Sequence, residues 1–233
     1  MNKAEVCARI VEIGIIPAVR ASSAEDARFA AEAVSAAGIP IVEITMTVPG
    51  AIDVISYLIK HVPGMIVGAG SVLDVETARQ CLEAGANFLT SDGLDLNVVE
   101  LAAKEGSAVL PGALTPTEVI TAWKAGADFV KLVPCAQVGG ESYVRAVKAM
   151  LPQALLVAAG GVNQVTAANF ILAGATALGV GTELIPKNAI RLREAARIRV
   201  LAHRFLGYVK SARAQMAPQK ETAVAKSDSK PRK

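Results

Sequence analysis

Eight times along the chain, a short run rich in Val and Ile is followed by a longer alanine-rich stretch whose apolar residues recur at helical spacing. That alternation limits the fold more than any other feature. The strand-like runs are GIIPAVR (14–20), PIVEITM (40–46), MIVGAG (65–70), NFLTS (87–91), AVLPG (108–112), DFVKLVP (128–134), ALLVAAG (154–160) and ALGVG (177–181). Repeated strand and helix periodicities of this kind mark units that build a parallel sheet. Several intervening stretches carry Ser, Asp, Asn or Thr in front and Gly behind, the residues that start and stop helices. Each unit is too short to bury a core alone, so the eight must share one. The expected fold class is α/β, a single-domain (β/α)8 TIM barrel over residues 1–214. It would be slightly smaller than the ~250 residues usual for that architecture. A doubly wound open sheet is the alternative. It fits less well, because the units number eight and no GxGxxG with a following ribose-binding acid comes after the first strand.

A hydrophobic content of 52% supplies ample core for one such domain. Charged residues make up 19% and the net charge is +3, too little for a nucleic-acid-binding stripe on the body of the protein. No apolar run reaches the roughly 18 uncharged residues of a membrane span. The opening MNKAEVCARIVEIG places Glu5 and Glu12 where a signal peptide would be uninterrupted. These features predict a cytoplasmic protein with neither nucleic-acid nor membrane partners. Cys7, Cys81 and Cys135 are odd in number and widely spaced, with only His61 and His203 as other soft ligands, so neither a disulfide framework nor a metal site is expected. Near the end, Ile190, Ile198, Ala202, Phe205 and Val209 read as one side of a single long helix, with its arginines mostly on a solvated face. Residues 215–233 lose all periodicity and read as a disordered basic tail.

In a barrel of this kind the chemistry lies at the C-terminal ends of the strands. Strand one ends in Arg20, strand two carries Glu43 followed by Thr45 and Thr47, and strand three ends in Ser71. Strand four ends in Ser91-Asp92, strand five in Pro111-Gly112, and strand six carries Lys131. Strands seven and eight end in Gly160-Gly161 and in Gly181-Thr182. Glycines in those last two loops let backbone N–H groups approach a phosphate, although tight strand-to-helix turns would use them as well. Glu43 and Lys131 are charged residues inside apolar strands. They read either as a buried ion pair or as reactive groups, since desolvation favours a neutral amine that can attack a carbonyl. Arg20, Thr47 and Ser71 are candidates to hold a substrate carboxylate, and Arg20 could instead neutralise Glu43.

The segments IVEITMTVPGAIDVI, VGAGSVLD, SDGLDLNVV, LPGALTPTEV, DFVKLVPCAQVGG, AAGGVN and LGVGTELI together resemble the class I aldolases of 2-keto-3-deoxy-6-phosphogluconate and 4-hydroxy-2-oxoglutarate. The likeness runs in order from about residue 10 to residue 210. It implies that Lys131 is the Schiff-base nucleophile and that Glu43 moves protons through a water. It also implies that Ser71 contacts the substrate carboxylate, and that Gly160, Gly161, Gly181 and Thr182 bind phosphate. The implied reaction is reversible cleavage of a phosphorylated 2-keto-3-deoxy sugar acid to pyruvate and glyceraldehyde 3-phosphate, with no metal or organic cofactor, in a homotrimer.

Three departures from the family pattern affect the pocket, to which Pro111 also contributes. The arginine many members carry after the glutamate is missing from Thr45-Met46-Thr47-Val48-Pro49, which leaves Arg20 and Thr47 for the carboxylate. Val133 replaces a phenylalanine beside the imine. Ala159 replaces a threonine tied to stereochemistry, and homologues acting on the galactonate-derived substrate carry an apolar residue there. The alternatives are therefore a 2-keto-3-deoxy-6-phosphogalactonate or 4-hydroxy-2-oxoglutarate aldolase, a sugar-phosphate isomerase or synthase without a Schiff base, and a non-catalytic sugar-phosphate-binding barrel.

Overall fold

The computed structural model describes residues 1–216, and all eight expected strands form. They are β1 (Ile15–Val19), β2 (Ile41–Thr45), β3 (Ile66–Gly70), β4 (Phe88–Thr90), β5 (Ala108–Leu110) with β6 (Gly112–Ala113), β7 (Val130–Leu132), β8 (Leu156–Ala159) and β9 (Ala177–Val180). Every pairing is parallel, and the order is β5-β4-β3-β2-β1-β9-β8-β7-β6. β5 and β6 are two halves of the fifth strand, interrupted at Pro111, which has no N–H to give to a ladder. Its carbonyl still accepts from the Lys131 N–H at 2.9 Å. The two ends of the sheet are thus consecutive in the chain, and the sheet is a nearly closed TIM-type barrel.

The helices are α1 (Lys3–Ile13), α2 (Ala24–Ala36), α3 (Ala51–His61), α4 (Val75–Glu83), α5 (Leu96–Lys104), α6 (Pro116–Lys124), α7 (Glu141–Met150), α8 (Ala167–Leu172), α9 (Lys187–Arg191) and α10 (Ala195–Met216). The start signals operate as the sequence suggested. Ser23, Asp74, Asp95 and Thr115 each accept an N–H of the first turn through a side-chain oxygen, worth about 1 kcal/mol apiece. On α2 the buried face is Ala27, Ala30, Ala31, Ala33 and Val34. Such small side chains let a helix lie close on the sheet, where Ile15, Ile16, Ile41, Ile44, Phe88 and Phe129 are fully buried at about 1.5–3 kcal/mol each.

Two elements lie outside the eight-unit pattern. Helix α1 buries Val6, Ile10 and Ile13. Lys3 at its start pairs at 3.0 Å with Asp128, which precedes β7, so the helix packs at the N-terminal end of the barrel, opposite the strand ends that carry chemistry. The terminal segment is not one helix as expected but two. Arg193, at φ 53°, turns the chain between α9 and α10, leaving Ile190 on the first and Ile198, Ala202, Phe205 and Val209 buried on the second. That left-handed turn costs a non-glycine residue about 1–3 kcal/mol. It is offset by the Arg193 guanidinium, which reaches Glu25 at 2.6 Å and Asp26 at 3.2 Å and lies over the Phe29 ring. Helix α10 runs to Met216, so residues 215 and 216 continue the helix. The rest of the expected tail lies outside the described residues.

Candidate active site

Side chains alternate across a strand, so residues two apart share a face. That rule gathers Ala18 with Arg20, Lys131 with Val133, Ala159 with Gly161 and Gly179 with Gly181 around one cavity of about 330 Å³ at the C-terminal ends of the strands. Glu43, Asp92, Asn163, Thr182 and Glu183 complete most of its wall. Ala18, Ala159 and Gly179 are small, which leaves room above the Lys131 amine.

Lys131 is 5% exposed and Glu43 3%. Their registers explain the meeting. Glu43 stands level with Ala18 and Gly68, and Lys131 with Gly112 and Val157, so both point inward from opposite sides of the barrel. The Lys131 amine lies 3.8 Å from Glu43 Oε1, too far for a hydrogen bond, and that buried oxygen has no hydrogen-bond partner. The two groups are thus within ion-pair distance, and Glu43 opens onto the cavity beside the amine. Gly70 makes the placement possible, since a Cβ there would overlap the Glu43 carboxylate.

The direct partner of Lys131 is Asp92, at the end of strand four, which is not among the site residues expected from the sequence. Its Oδ1 accepts from the Lys131 amine at 3.0 Å, and its Oδ2 accepts from the Ser71 hydroxyl at 2.8 Å. Desolvation pushes the Asp92 carboxyl upward, but the Lys131 ammonium, the hydrogen bonds from Lys131 and Ser71, and the charge of Arg20 outweigh it and hold the group below the ordinary carboxylate range. Ser71 adopts φ 56°, a left-handed conformation that serine rarely takes and that aims its hydroxyl at Asp92. Gly112 lies directly under the Asp92-Gly93 backbone, where a Cβ would collide, so the loop carrying Asp92 is seated tightly on the fifth strand.

The other expected site residues divide. Arg20, Gly160, Gly161, Gly181, Thr182, Val133 and Ala159 all line the cavity. Gly160 and Gly161, at φ 78° and 88°, also pack so closely on Pro134 and Ala136 that side chains would clash, so turn geometry and packing alone would demand them. Gly181 is under neither constraint. Thr47 is not in this cavity. Its hydroxyl pairs with Thr45 Oγ1 at 2.7 Å, and it faces a neighbouring cavity of about 660 Å³ that shares Arg20 and includes Lys187 and Arg191. Pro111 contributes backbone to the closing strand and does not line the cavity. Among the described residues, no three His, Cys, Asp or Glu side chains gather as metal ligands would, and no helix is long and apolar enough to cross a membrane.

A parallel barrel with a buried lysine near two carboxylates at its C-terminal mouth has the layout of a barrel-enzyme site. A family model described as "Aldolase: KDPG and KHG aldolase" matches residues 6–201. A probable 2-dehydro-3-deoxy-6-phosphogalactonate aldolase of Rhizobium meliloti is 33% identical over 176 residues, covering 75% of this chain and 82% of the relative. A 2-dehydro-3-deoxy-phosphogluconate aldolase of Zymomonas mobilis is 30% identical over 157 residues, covering 67% and 75% of the respective chains. Among solved structures, a KDPG aldolase from Legionella pneumophila, with pyruvate captured at low pH as a covalent carbinolamine intermediate, superimposes with a TM-score of 0.78. It is 27% identical, and the match covers 84% of this chain and 95% of that one. The chain belongs to the KDPG and KHG aldolase family and is accordingly an aldolase, a carbon–carbon lyase.

Proposed function

We propose that the chain is a class I aldolase that reversibly cleaves a 2-keto-3-deoxy-6-phospho sugar acid, the gluconate-derived one or a close epimer, to pyruvate and glyceraldehyde 3-phosphate. The observation that carries this reading is the buried Lys131 amine at the cavity floor, 3.8 Å from Oε1 of the equally buried Glu43. The amine adds to the C2 carbonyl to give a carbinolamine, whose hydroxyl takes up a proton and leaves as water, so that a protonated imine remains. Glu43, through a water, takes the C4 hydroxyl proton. The C3–C4 bonding pair flows into the imine as an enamine, and the aldehyde departs. The proton then returns to C3, and hydrolysis of the imine releases pyruvate and Lys131. The carbinolamine held by the Legionella relative is the adduct an amine and a ketone form first, which supports the same chemistry at Lys131.

In this reading Arg20 and Ser71 receive the keto-acid carboxylate. Thr47 acts only through the Thr45 hydroxyl or from the neighbouring cavity, and Pro111 through its backbone. The backbone of Gly160, Gly161, Gly181 and Thr182 receives the phosphate, with Asn163 beside it. Ala159 and the 33%-identical relative both favour the galactonate epimer as a second reading. The family likeness also supports a cytoplasmic homotrimer that uses no cofactor. Trp123 and Leu96, exposed on α6 and α5, supply apolar surface for such an assembly.

The test is intact-mass spectrometry after incubation with pyruvate and borohydride, followed by peptide mapping. One reduced pyruvate adduct on Lys131 is expected. Lys131→Met should take up none and lose at least about a thousandfold in turnover while keeping its circular dichroism. Turnover surviving in that variant would point to a barrel that works without an imine.

A further inference from the structure

The amine expected to attack the substrate is not free. Asp92 Oδ1 holds it at 3.0 Å, while Asp92 Oδ2 is held by Ser71 at 2.8 Å, so a single carboxylate occupies both the nucleophile and a group expected to receive the substrate's carboxylate. An amine tied to a carboxylate cannot swing freely onto an incoming carbonyl. The side chain that makes this contact is 41% exposed, against 7% for Lys131 and 4% for Glu43, so it alone of the three has solvent to move into. Its backbone is fixed over Gly112, which limits the movement to side-chain rotation.

We propose that Asp92 is a positioning residue that locks the nucleophile, and that the carboxylate of the incoming 2-keto acid displaces it. This rests on the Schiff-base reading above. In the free enzyme Asp92 ties Lys131 to Ser71. An entering carboxylate takes the Ser71 hydroxyl and the Arg20 charge that now stabilise Asp92, and repels Asp92 toward the mouth. Lys131 is left with Glu43 at 3.8 Å as its nearest carboxylate, loses a proton to solvent and adds to C2. The proton is made good when the carbinolamine hydroxyl leaves as water, so the imine ends protonated and the net charge is unchanged. The charged groups facing Lys131 are Glu43 from β2, Asp92 from the end of β4, Arg20 from the end of β1 and, across the cavity, Glu183 after β9. Asp92 alone among them is hydrogen-bonded to it. The arrangement also favours substrates that bring their own carboxylate, because a simple aldehyde or ketone has nothing with which to displace Asp92.

The experiment compares wild type, Asp92→Asn and Asp92→Glu in pyruvate-dependent and acetone-dependent borohydride inactivation, across ketone concentrations, with circular dichroism on each protein. For Asp92→Asn, the half-saturating pyruvate concentration should fall about tenfold, as expected for removing a competing charge from a partly dry site. Acetone, which has no carboxylate, should become a better inactivator relative to pyruvate. Asp92→Glu should return toward wild type. An unchanged half-saturation in folded Asp92→Asn would overturn the lock. So would a reduced maximal rate at unchanged half-saturation, which would make Asp92 a proton carrier. A wild-type protein that takes no adduct would defeat the Schiff-base reading itself and the lock along with it.

Discussion

At the scale of single residues, the site depends on where side chains are missing as much as on where they are present. Glu43 can lie across the barrel because Gly70 has no Cβ, and Asp92 can reach Lys131 because Gly112 lets its loop sit low. Gly70→Ala should therefore push the Glu43 carboxylate away from the amine. We expect turnover to fall at least about tenfold and stability by about 1–3 kcal/mol. Steady-state kinetics beside a urea titration would separate the two, and full activity in the variant would show that Glu43 has slack. Lys131 and Glu43 were readable in the sequence because a charge inside a run of Val and Ile stands out. Asp92 was not, because Ser91-Asp92-Gly93 has the composition of an ordinary turn. Only the third dimension brings it within reach of a lysine 39 positions later.

Among the elements, the eight strands were legible for the same reason that the sheet is stable. Each is an apolar run that must be covered on both faces. The break between α9 and α10 was not legible. Leu192-Arg193-Glu194 has good helical propensity, and the left-handed Arg193 is held by Glu25 and Asp26, some 168 residues away in sequence. Helix α1 likewise owes its position to a distant partner. Arg213 of α10 donates to the carbonyls of Val11 at 2.7 Å and Glu12 at 2.6 Å at the end of α1, and to that of Thr176 ahead of β9 at 3.0 Å. Three carbonyls thus depend on one guanidinium. Arg213→Ala should cost about 2–3 kcal/mol in urea denaturation while leaving kcat of the folded enzyme unchanged, since the contact lies at the far end of the barrel. A change in kcat would reveal communication along the strands.

For the molecule as a whole, three carboxylates define an acid limit to stability. Asp74 is held below its usual value by the Thr77 backbone N–H, and Glu118 by the Leu114 and Thr115 N–H groups. At Asp92, desolvation is outweighed by Lys131 and its other partners. In each case the folded form binds its proton less readily than the unfolded chain. The stabilisation is therefore complete above the unfolded carboxylate values near ~4 and is lost as pH falls through the lower folded ones. Melting temperature should be flat from pH 8 to about 5 and then decline. The decline should be shallower in an Asp74→Asn, Glu118→Gln double variant, and an equal slope would move the acid sensitivity elsewhere. The glycines around the candidate site also shape how such an enzyme can diverge. Gly70, Gly112, Gly160 and Gly161 are each pinned by a neighbour, whereas Gly181 opens onto the cavity with nothing in the way. A lineage drifting toward a new aldehyde would meet a clash at four of these five doors, and its cheapest route to a different substrate would run through the fifth.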